Sequence, residues 1–142
     1  CMRAIGQAEA ALELMCKRSL SRTAFGKPLA QLGANFDIIA DARMEIEMAR
    51  LLCLKAAWMM DQGDPRAAAP WISKIKVVAP IMALKVVDEA IQLHGAGGIS
   101  QDTPLAAYWM HLRTLRLADG PDAVHRRQVA RAELRKHTQE KI

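Results

Sequence analysis

The chain has 142 residues, of which 51% are hydrophobic, and a formal net charge of +5, which fits one domain with a real core. Only 4% are aromatic, and the Ala, Leu, Met and Ile that carry the apolar content favour an all-α fold. No apolar run approaches the roughly 20 residues that span a bilayer, and no signal-peptide pattern is present at the N-terminus. We therefore expect a soluble domain without a transmembrane segment.

The chain opens at Cys1, inside a helical pattern and without a start methionine, so we expect sequence upstream of it. Three cysteines, Cys1, Cys16 and Cys53, are odd in number and lack metal-ligand spacing. This usage indicates free thiols in a reducing compartment.

The first half of the chain predicts two helices separated by a loop. Apolar residues from Ile5 step by three and four, which predicts a helix ending near Arg22. Residues 24–35 contain two glycines and a proline and predict a loop. The second helix has a regular apolar stripe typical of a bundle seam, and we expect self-association through this seam and the basic helices. The stripe consists of Ile39, Ala42, Ile46, Ala49, Cys53, Ala56 and Met60.

The second half predicts a third helix, a short segment and a final helix. Residues 67–70 lead into a third stripe that continues through Pro80, so we predict one helix with a kink or a loosened turn at that proline. The short segment covers 103–117, and Pro121 can open the final helix at its first position. The predicted fold is an all-α, antiparallel up-down four-helix bundle with an extra short helix.

Residues 22–29 read R-T-A-F-G-K-P-L at the end of the first helix. One interpretation is a helix stop with a packed Phe25 and two surface cations. The other is an anion clamp, because the planar guanidinium of Arg22 suits phosphate oxygens and Gly26 lets the backbone approach a ligand.

Residues 92–100 read Q-L-H-G-A-G-G-I-S at the end of the third helix. One glycine would suffice to end a helix. Several glycines together indicate a backbone stretch in close contact with another group, and backbone amides in such a turn can bind anions. The segment is neither a phosphate-binding Walker loop nor a dinucleotide fingerprint. His94 is more often a packed or capping residue than a catalytic one in such a place.

Residues 117–125 read L-A-D-G-P-D-A-V-H before the last helix. An acidic residue near a helix start is favoured by the helix dipole. A functional interpretation makes Asp119 a general base on a turn that faces a cleft. His111 and His125 are isolated from each other, so we predict no metal site.

Basic residues cluster near the C-terminus, and they are usually a solvated helix face. The alternative is a surface that binds a polyanion. The chain lacks a nucleic-acid recognition motif, so we expect no nucleic-acid partner, and an anionic cofactor or thioester is at least as plausible. The cluster consists of Arg126, Arg127, Arg131, Arg135 and Lys136.

Taken in order, the three motifs resemble the C-terminal domain of the acyl-CoA dehydrogenases. That family reads R-x-x-F-G-K, then Q-x-x-G-G-x-G, then a catalytic Y-E-G-T. The phrases C-M-R-A-I-G, G-I-S-Q-D-T-P-L and R-L-A-D-G-P-D are similar to the branch of family members ten and eleven and their bacterial counterparts. The resemblance spans essentially all of residues 1–142, and it implies that N-terminal helical and middle β-domains are absent from this chain.

The resemblance also implies the site residues. Asp119 takes the place of the catalytic glutamate, which removes the α-proton of an acyl-CoA thioester while the β-hydride passes to FAD. Gly120 would lie near the thioester, and Pro121 and Asp122 near the flavin. The pyrophosphate and adenosine part of an FAD held mainly by the neighbouring subunit would contact Arg22, Phe25, Gln92, Leu93, His94, Gly95 and Ala96.

The implied protein is a homodimer or a dimer of dimers that passes electrons to an electron-accepting flavoprotein or to oxygen. Its compartment would be the cytoplasm in a bacterium, or the mitochondrion or peroxisome in a eukaryote. We expect the fragment alone to be inactive, since the other two domains and an arginine just upstream of Cys1 would be missing. The alternative is a non-catalytic assembly or regulatory bundle derived from the family.

Four positions depart from the family pattern. Asp119 replaces Glu and reaches less far by one methylene, so the base must approach by a backbone shift or be another residue. Ala24 replaces a common hydroxyl residue, and Gly33 stands where many relatives have Gln. Ala123 replaces a glutamate common in this branch, and catalysis would be impaired if that glutamate were the base.

Overall fold

A computed structural model describes residues 1–138 of the chain. These residues form five α-helices, a small hairpin and two short 3₁₀ segments, which confirms the predicted all-α fold. In chain order the elements are α1 (Met2–Ser21), β1 (Thr23–Ala24), β2 (Lys27–Pro28), a 3₁₀ segment (Leu29–Gln31), α2 (Asn35–Asp61), α3 (Pro65–His94), a second 3₁₀ segment (Gly95–Ile99), α4 (Leu105–Leu115) and α5 (Asp122–Leu134).

Helix α3 is central, since all four other helices contact it. The direction of the first three helices follows from their contacts and connections. Glu9 of α1 pairs with Arg43 of α2, and Glu45 of α2 pairs with Lys85 of α3. Glu9 also pairs with Arg50, whereas Cys16, later in α1, shares a groove with Ile39, earlier in α2, so α1 and α2 are antiparallel. The connection from α2 to α3 covers only residues 62–64, so these two helices are antiparallel as well. The ends of α1 and α3 therefore lie at the same end of the bundle.

Helices α4 and α5 together form the fourth leg of the bundle. Lys76 of α3 donates from Nζ to the carbonyl oxygen of Leu115 at the end of α4, at 2.6 Å. The buried hydroxyl of Ser73 donates to Oε1 of Gln128 on α5. Both helices therefore run back along α3 toward its beginning. The leg is broken at residues 116–121, and Asp119 lies in this break.

The seam predicted on α2 is buried inside the single chain. Ala42, Ile46, Ala49 and Ala56 are buried, and their small or aliphatic side chains pack in the core shared with α1 and α3. Met60, the last residue of the predicted stripe, is 46% exposed and departs from the prediction. Because the seam is already covered within one chain, the prediction that it mediates self-association is wrong.

Helix α3 begins earlier than the sequence indicated. Oδ1 of Asp64 accepts hydrogen bonds from the backbone N–H groups of Arg66 and Ala67, at 2.9 and 3.2 Å, and Pro65 occupies the first helical position. Pro70, which suggested a lead-in segment, lies inside the helix. The prediction that one helix continues through Pro80 is confirmed, and Pro80 is itself buried in the core.

One stretch, Pro65–Ile99, is long and apolar enough to cross a membrane by length and composition, with a mean hydropathy of 1.3 in its most apolar window. It comprises α3 and the 3₁₀ segment that follows. The core helix of a bundle has the same composition, and α3 contacts every other helix. We assign it to the core.

Candidate active site

The segment Arg22–Leu29 forms a hairpin where the sequence predicted a loop. Thr23 pairs with Pro28, and Ala24 pairs with Lys27, so Phe25 and Gly26 form a two-residue turn. Both turn residues have positive φ, 50° and 75°, as a type I′ hairpin turn requires. The strands are too short to show the alternation by which strands are recognised in a sequence.

Phe25 is 96% exposed at the tip of this hairpin. The interpretation of a packed phenylalanine is therefore wrong for this chain. A residue with a Cβ is also disfavoured in the left-handed conformation. An apolar ring held exposed in a disfavoured conformation is typical of a contact with another surface.

Arg22 caps the end of α1, where its N–H donates to the carbonyl oxygen of Arg18 at 3.0 Å. The guanidinium is exposed and forms no ion pair with another of the described residues 1–138. Its backbone is thus fixed by the helix end and the hairpin, while its cation stays accessible.

The glycine-rich segment is pressed against α3, as its composition indicated. Gly95 ends the helix with a φ of 63°. Gly98 is buried, and a Cβ at that position would lie 2.7 Å from the carbonyl oxygen of Ile91. Contacts within the chain therefore account for the glycines at positions 95 and 98 without a ligand.

The other residues predicted to contact FAD here differ in accessibility. Gln92, Gly95 and Ala96 are exposed, whereas Leu93 is half-buried and packs against the core. Nδ1 of His94 lies 2.8 Å from the carbonyl oxygen of Ala90 in the same helix, which agrees with a capping rather than a catalytic histidine.

The structure brings the first two motifs together but leaves the third apart. The hairpin and the glycine-rich segment lie at the same end of the bundle, since they follow the ends of α1 and α3. The break that holds Asp119 follows Leu115, which lies beside Lys76. Residues 76 to 94 of a helix span about 27 Å at 1.5 Å per residue. Asp119 and the predicted site residues that follow it, 120–122, therefore lie far from those of the first two motifs.

Asp119 is exposed in the turn between α4 and α5, and its φ is 55°. Gly120 follows with a φ of 97°, a value that suits glycine alone. Within residues 1–138 the Asp119 carboxylate has neither a hydrogen-bond partner nor a salt-bridge partner, and only its backbone carbonyl is engaged. The turn therefore presents an unpaired carboxylate.

An ion pair closes the break on one side. Arg116 contacts Oδ2 of Asp122 through Nη2 at 2.6 Å and through Nε at 2.8 Å. Asp122 is the first residue of α5. Exposed Pro121 is therefore the N-cap residue and not, as predicted, the first residue of the helix. Oδ1 of Asp122 is buried without a partner among the described residues.

Two residues of this turn were missed by sequence reasoning. The motifs assign no role to Arg116 and treat His125 only as a possible metal ligand, yet Nε2 of His125 lies 3.1 Å from the carbonyl oxygen of Asp119. The pairs 116–122 and 119–125 are both six apart and cross the Gly-Pro break, which is the signal that could have found them. His111 contacts Gln7, and the described residues contain no cluster of three or more metal-ligating side chains. The three cysteines are free thiols.

Two open grooves in the described part of the chain do not include Asp119 in their lining. One of about 620 Å³ lies between α1 and α2 and is lined by Glu9, Cys16 and Arg43. Another, of about 510 Å³, is apolar and lies between α2 and α3 beside Met48 and Val78. Asp119 is itself exposed, so residues 1–138 do not enclose its carboxylate.

A family profile described as "Acyl-CoA dehydrogenase, C-terminal domain" matches residues 1–134. The chain belongs to the acyl-CoA dehydrogenase family. It is 54% identical over 134 residues to FadE2 of Mycobacterium tuberculosis, assigned as an acyl-CoA dehydrogenase, covering 94% of this chain and 33% of that protein. It is also 54% identical over 135 residues to acyl-CoA dehydrogenase family member 10 of Mus musculus, covering 95% of this chain and 13% of that protein.

A solved structure assigned as an acyl-CoA dehydrogenase from Mycobacterium abscessus superimposes with a TM-score of 0.95 at 58% identity. The match covers 96% of this chain and 34% of that one. The predicted acyl-CoA dehydrogenase family and its branch are thus confirmed. The chain spans about a third of the length of FadE2 and of this solved structure, and less of family member 10.

Proposed function

We propose that the chain is the C-terminal domain of an FAD-dependent enzyme that oxidises acyl-CoA to trans-2-enoyl-CoA. The observation that carries the proposal is the unpaired, exposed carboxylate of Asp119, held by a turn that is fixed from both sides. Two of the three motifs that distinguish the family lie at the opposite end of the same bundle. The missing part of the active site would come from N-terminal helical and middle β-domains outside this chain.

Asp119 is the proposed general base. The α-proton of the thioester passes to its carboxylate, the double bond forms between the α and β carbons, and a hydride leaves the β carbon. A carboxylate removes such a proton best when it is shielded from water. Because Asp119 is exposed in residues 1–138, that shielding has to come from substrate and from the other domains.

The residues present fit an FAD at the hairpin end. The Arg22 guanidinium is exposed and suits pyrophosphate oxygens, the exposed ring of Phe25 offers an apolar face, and the amide of Gln92 is exposed. FAD, when bound, would supply the hydride acceptor. These residues would bind and orient the pyrophosphate and adenosine part of the FAD.

The separation of Asp119 from the hairpin end supports an assembly of at least two subunits. In this proposal, Asp119 would act as the base beside the flavin of its own subunit, and the hairpin end would contact the flavin of a neighbouring subunit. Helix α2 offers a surface for association on the face opposite the seam. Its exposed apolar residues step by four, three and seven along one side: Met44, Met48, Leu51 and Trp58, each more than half exposed.

A non-catalytic assembly bundle is the second candidate, and a specific departure favours it. Ala123 replaces the glutamate that is common in the branch, and Asp119 is shorter than the usual base. Both candidates use the same exposed face of α2. They differ in whether the full-length gene product reduces its flavin, and in whether Asp119 matters for that reduction.

The test is anaerobic mixing of the full-length gene product, purified with its flavin, with a panel of acyl-CoA thioesters. We expect one of them to bleach the flavin absorbance, and we expect Asp119→Asn to retain the flavin but lose the bleaching. Asp88→Asn, which removes an exposed carboxylate from α3, is the matched control. Bleaching that survives Asp119→Asn removes Asp119 as the base. A bound flavin that no thioester bleaches supports the assembly bundle.

A further inference from the structure

Two consecutive residues of the α4–α5 break have left-handed backbone conformations. Asp119 has a φ of 55° and Gly120 a φ of 97°. This conformation is natural for glycine but disfavoured for a residue with a Cβ, so contacts around Asp119 must hold it. The contacts decide where the carboxylate is presented.

One contact reaches the backbone of Asp119 itself. His125, in the first turns of α5, places Nε2 at 3.1 Å from the Asp119 carbonyl oxygen. A carbonyl oxygen only accepts hydrogen bonds, so Nε2 has to carry the proton and donate it. Nδ1 of His125 is buried without a partner among the described residues. The neutral Nε2–H tautomer satisfies this geometry without burying a second unpaired N–H.

The same ring also packs on the next residue. A Cβ added to Gly120 would lie 3.1 Å from Nε2 of His125, and 3.7 and 3.8 Å from the neighbouring ring carbons. His125 is half-buried in this position. The imidazole therefore fills the space inside the turn and bonds its carbonyl at the same time, while the Arg116–Asp122 ion pair anchors the start of α5 to the end of α4.

We propose that His125 is a positioning residue that holds Asp119 in its left-handed conformation through the Nε2–H to carbonyl hydrogen bond. The inference rests on the proposed function of Asp119 as the base. Because the aspartate side chain is one methylene shorter than glutamate, its carboxylate can be adjusted less by side-chain rotation. The backbone conformation that His125 fixes therefore determines where the base stands.

The turn can be tested in the 142-residue chain without any catalysis. His125→Gln keeps an N–H donor near the position of Nε2, whereas His125→Met keeps a similar length and removes the donor. We expect the ring nitrogens of wild-type His125 to show the Nε2–H tautomer by NMR. We expect the intraresidue HN–Hα NOE of Asp119 to be strong, as positive φ requires, in wild type and His125→Gln, and to weaken toward the strength typical of negative φ in His125→Met.

The role in positioning is tested in the full-length gene product. His125→Met should lower kcat by roughly tenfold to a hundredfold while changing KM little, since a displacement of about 1 Å costs that much. His125→Gln should restore most of kcat. Loss of kcat without this rescue contradicts a role that runs through the donated hydrogen bond.

Two structural results would overturn the proposal before any kinetics. One is a proton on Nδ1 instead of Nε2 in the wild-type chain, which needs no variant to fold. The other is an unchanged intraresidue HN–Hα NOE of Asp119 in His125→Met. If this NOE weakens and kcat does not change, positioning is refuted while Asp119 remains the base. If Asp119→Asn keeps its turnover, the proposed function fails, whereas the measured turn geometry stands.

Discussion

Gly98 touches the backbone of Ile91 so closely that a Cβ on the glycine would lie 2.7 Å from the Ile91 carbonyl oxygen and 2.8 Å from its Cα. Both neighbouring atoms belong to the backbone of α3 and cannot rotate away. The 3₁₀ segment is thereby fixed against the last turns of the helix. Its position sets the direction in which the chain leaves toward α4.

This contact predicts a large difference between two neighbouring glycines. Gly98→Ala should lower the free energy of unfolding by about 1–3 kcal/mol, because the added methyl forces the backbone apart. Gly97→Ala is the matched control, since a Cβ there meets nothing within 4 Å, and its effect should stay within about 0.5 kcal/mol. Urea unfolding measures both. Equal losses would mean that the 3₁₀ segment does not pack on Ile91 as described.

Phe25 predicts opposite effects on stability and on function. Phe25→Asn removes a side chain that contacts little and places in the positive-φ position a residue that tolerates it. We expect the free energy of unfolding of the chain to stay level or rise by up to about 1 kcal/mol. In the full-length gene product, the same change should weaken retention of FAD.

The control for this prediction is Phe36→Asn, which removes another exposed phenylalanine from the start of α2, where φ is helical. This substitution should not raise the free energy of unfolding, because the backbone of residue 36 is not in the left-handed conformation that asparagine tolerates. A measured loss of stability in Phe25→Asn would show that the hairpin turn is not strained. Full flavin retention in that variant would remove Phe25 from the proposed flavin contact.

The helical stripes could be predicted from the sequence because burial repeats every three to four residues along α1, α2 and α3. The beginning of α3 could not, because Pro70 suggests a break in sequence while packing along the helix keeps it continuous. The hairpin at residues 23–28 could not be predicted, because its strands of two residues each are too short to show an alternating pattern. Motifs located Asp119. The six-residue spacing across the Gly-Pro break is the signal for its partner His125, but that spacing does not reveal the positive φ of Asp119.

Helix α5 is the most weakly packed of the described helices, since none of its residues is fully buried. Its contact with α3 includes the hydrogen bond from the buried Ser73 hydroxyl to Gln128. Gln128→Met should lower the free energy of unfolding by about 1–3 kcal/mol, because the Ser73 hydroxyl is left buried without its partner. Ser73→Ala in the same chain should recover most of this loss.

A double-mutant cycle across Ser73 and Gln128 measures the coupling, and hydrogen exchange of the α5 amides reports whether the helix opens more often. Arg127→Met is the control, since this exposed residue is adjacent on α5 and is not bonded to Ser73. Additive effects of the two changes would contradict the hydrogen bond. Unchanged exchange in Gln128→Met would show that α5 is held by other contacts.

The ion pairs between α1 and α2 predict a pH dependence of stability. Arg43 donates from Nη1 and Nη2 to the two carboxylate oxygens of Glu9, at 2.8 and 2.7 Å, and Arg50 contacts the same carboxylate. The hydrogen bond from Arg43 is the main cause that lowers the pKa of Glu9 below its ordinary 4.5. The folded state therefore binds the Glu9 proton less readily than the unfolded state does.

Stability from Glu9 should accordingly be fully present at neutral pH and be lost as the pH falls through 4.5 toward the lower pKa of the folded state. Glu9→Gln should cost at most about 1 kcal/mol at pH 7, since the partners are partly exposed and screened by solvent. The difference from wild type should vanish in acid. Glu13→Gln, which removes only an exposed pair with Lys17 on the same helix, should cost less than about 0.5 kcal/mol. If the difference in unfolding free energy between wild type and Glu9→Gln stays constant with pH, Glu9 does not form ion pairs with Arg43 and Arg50 in solution.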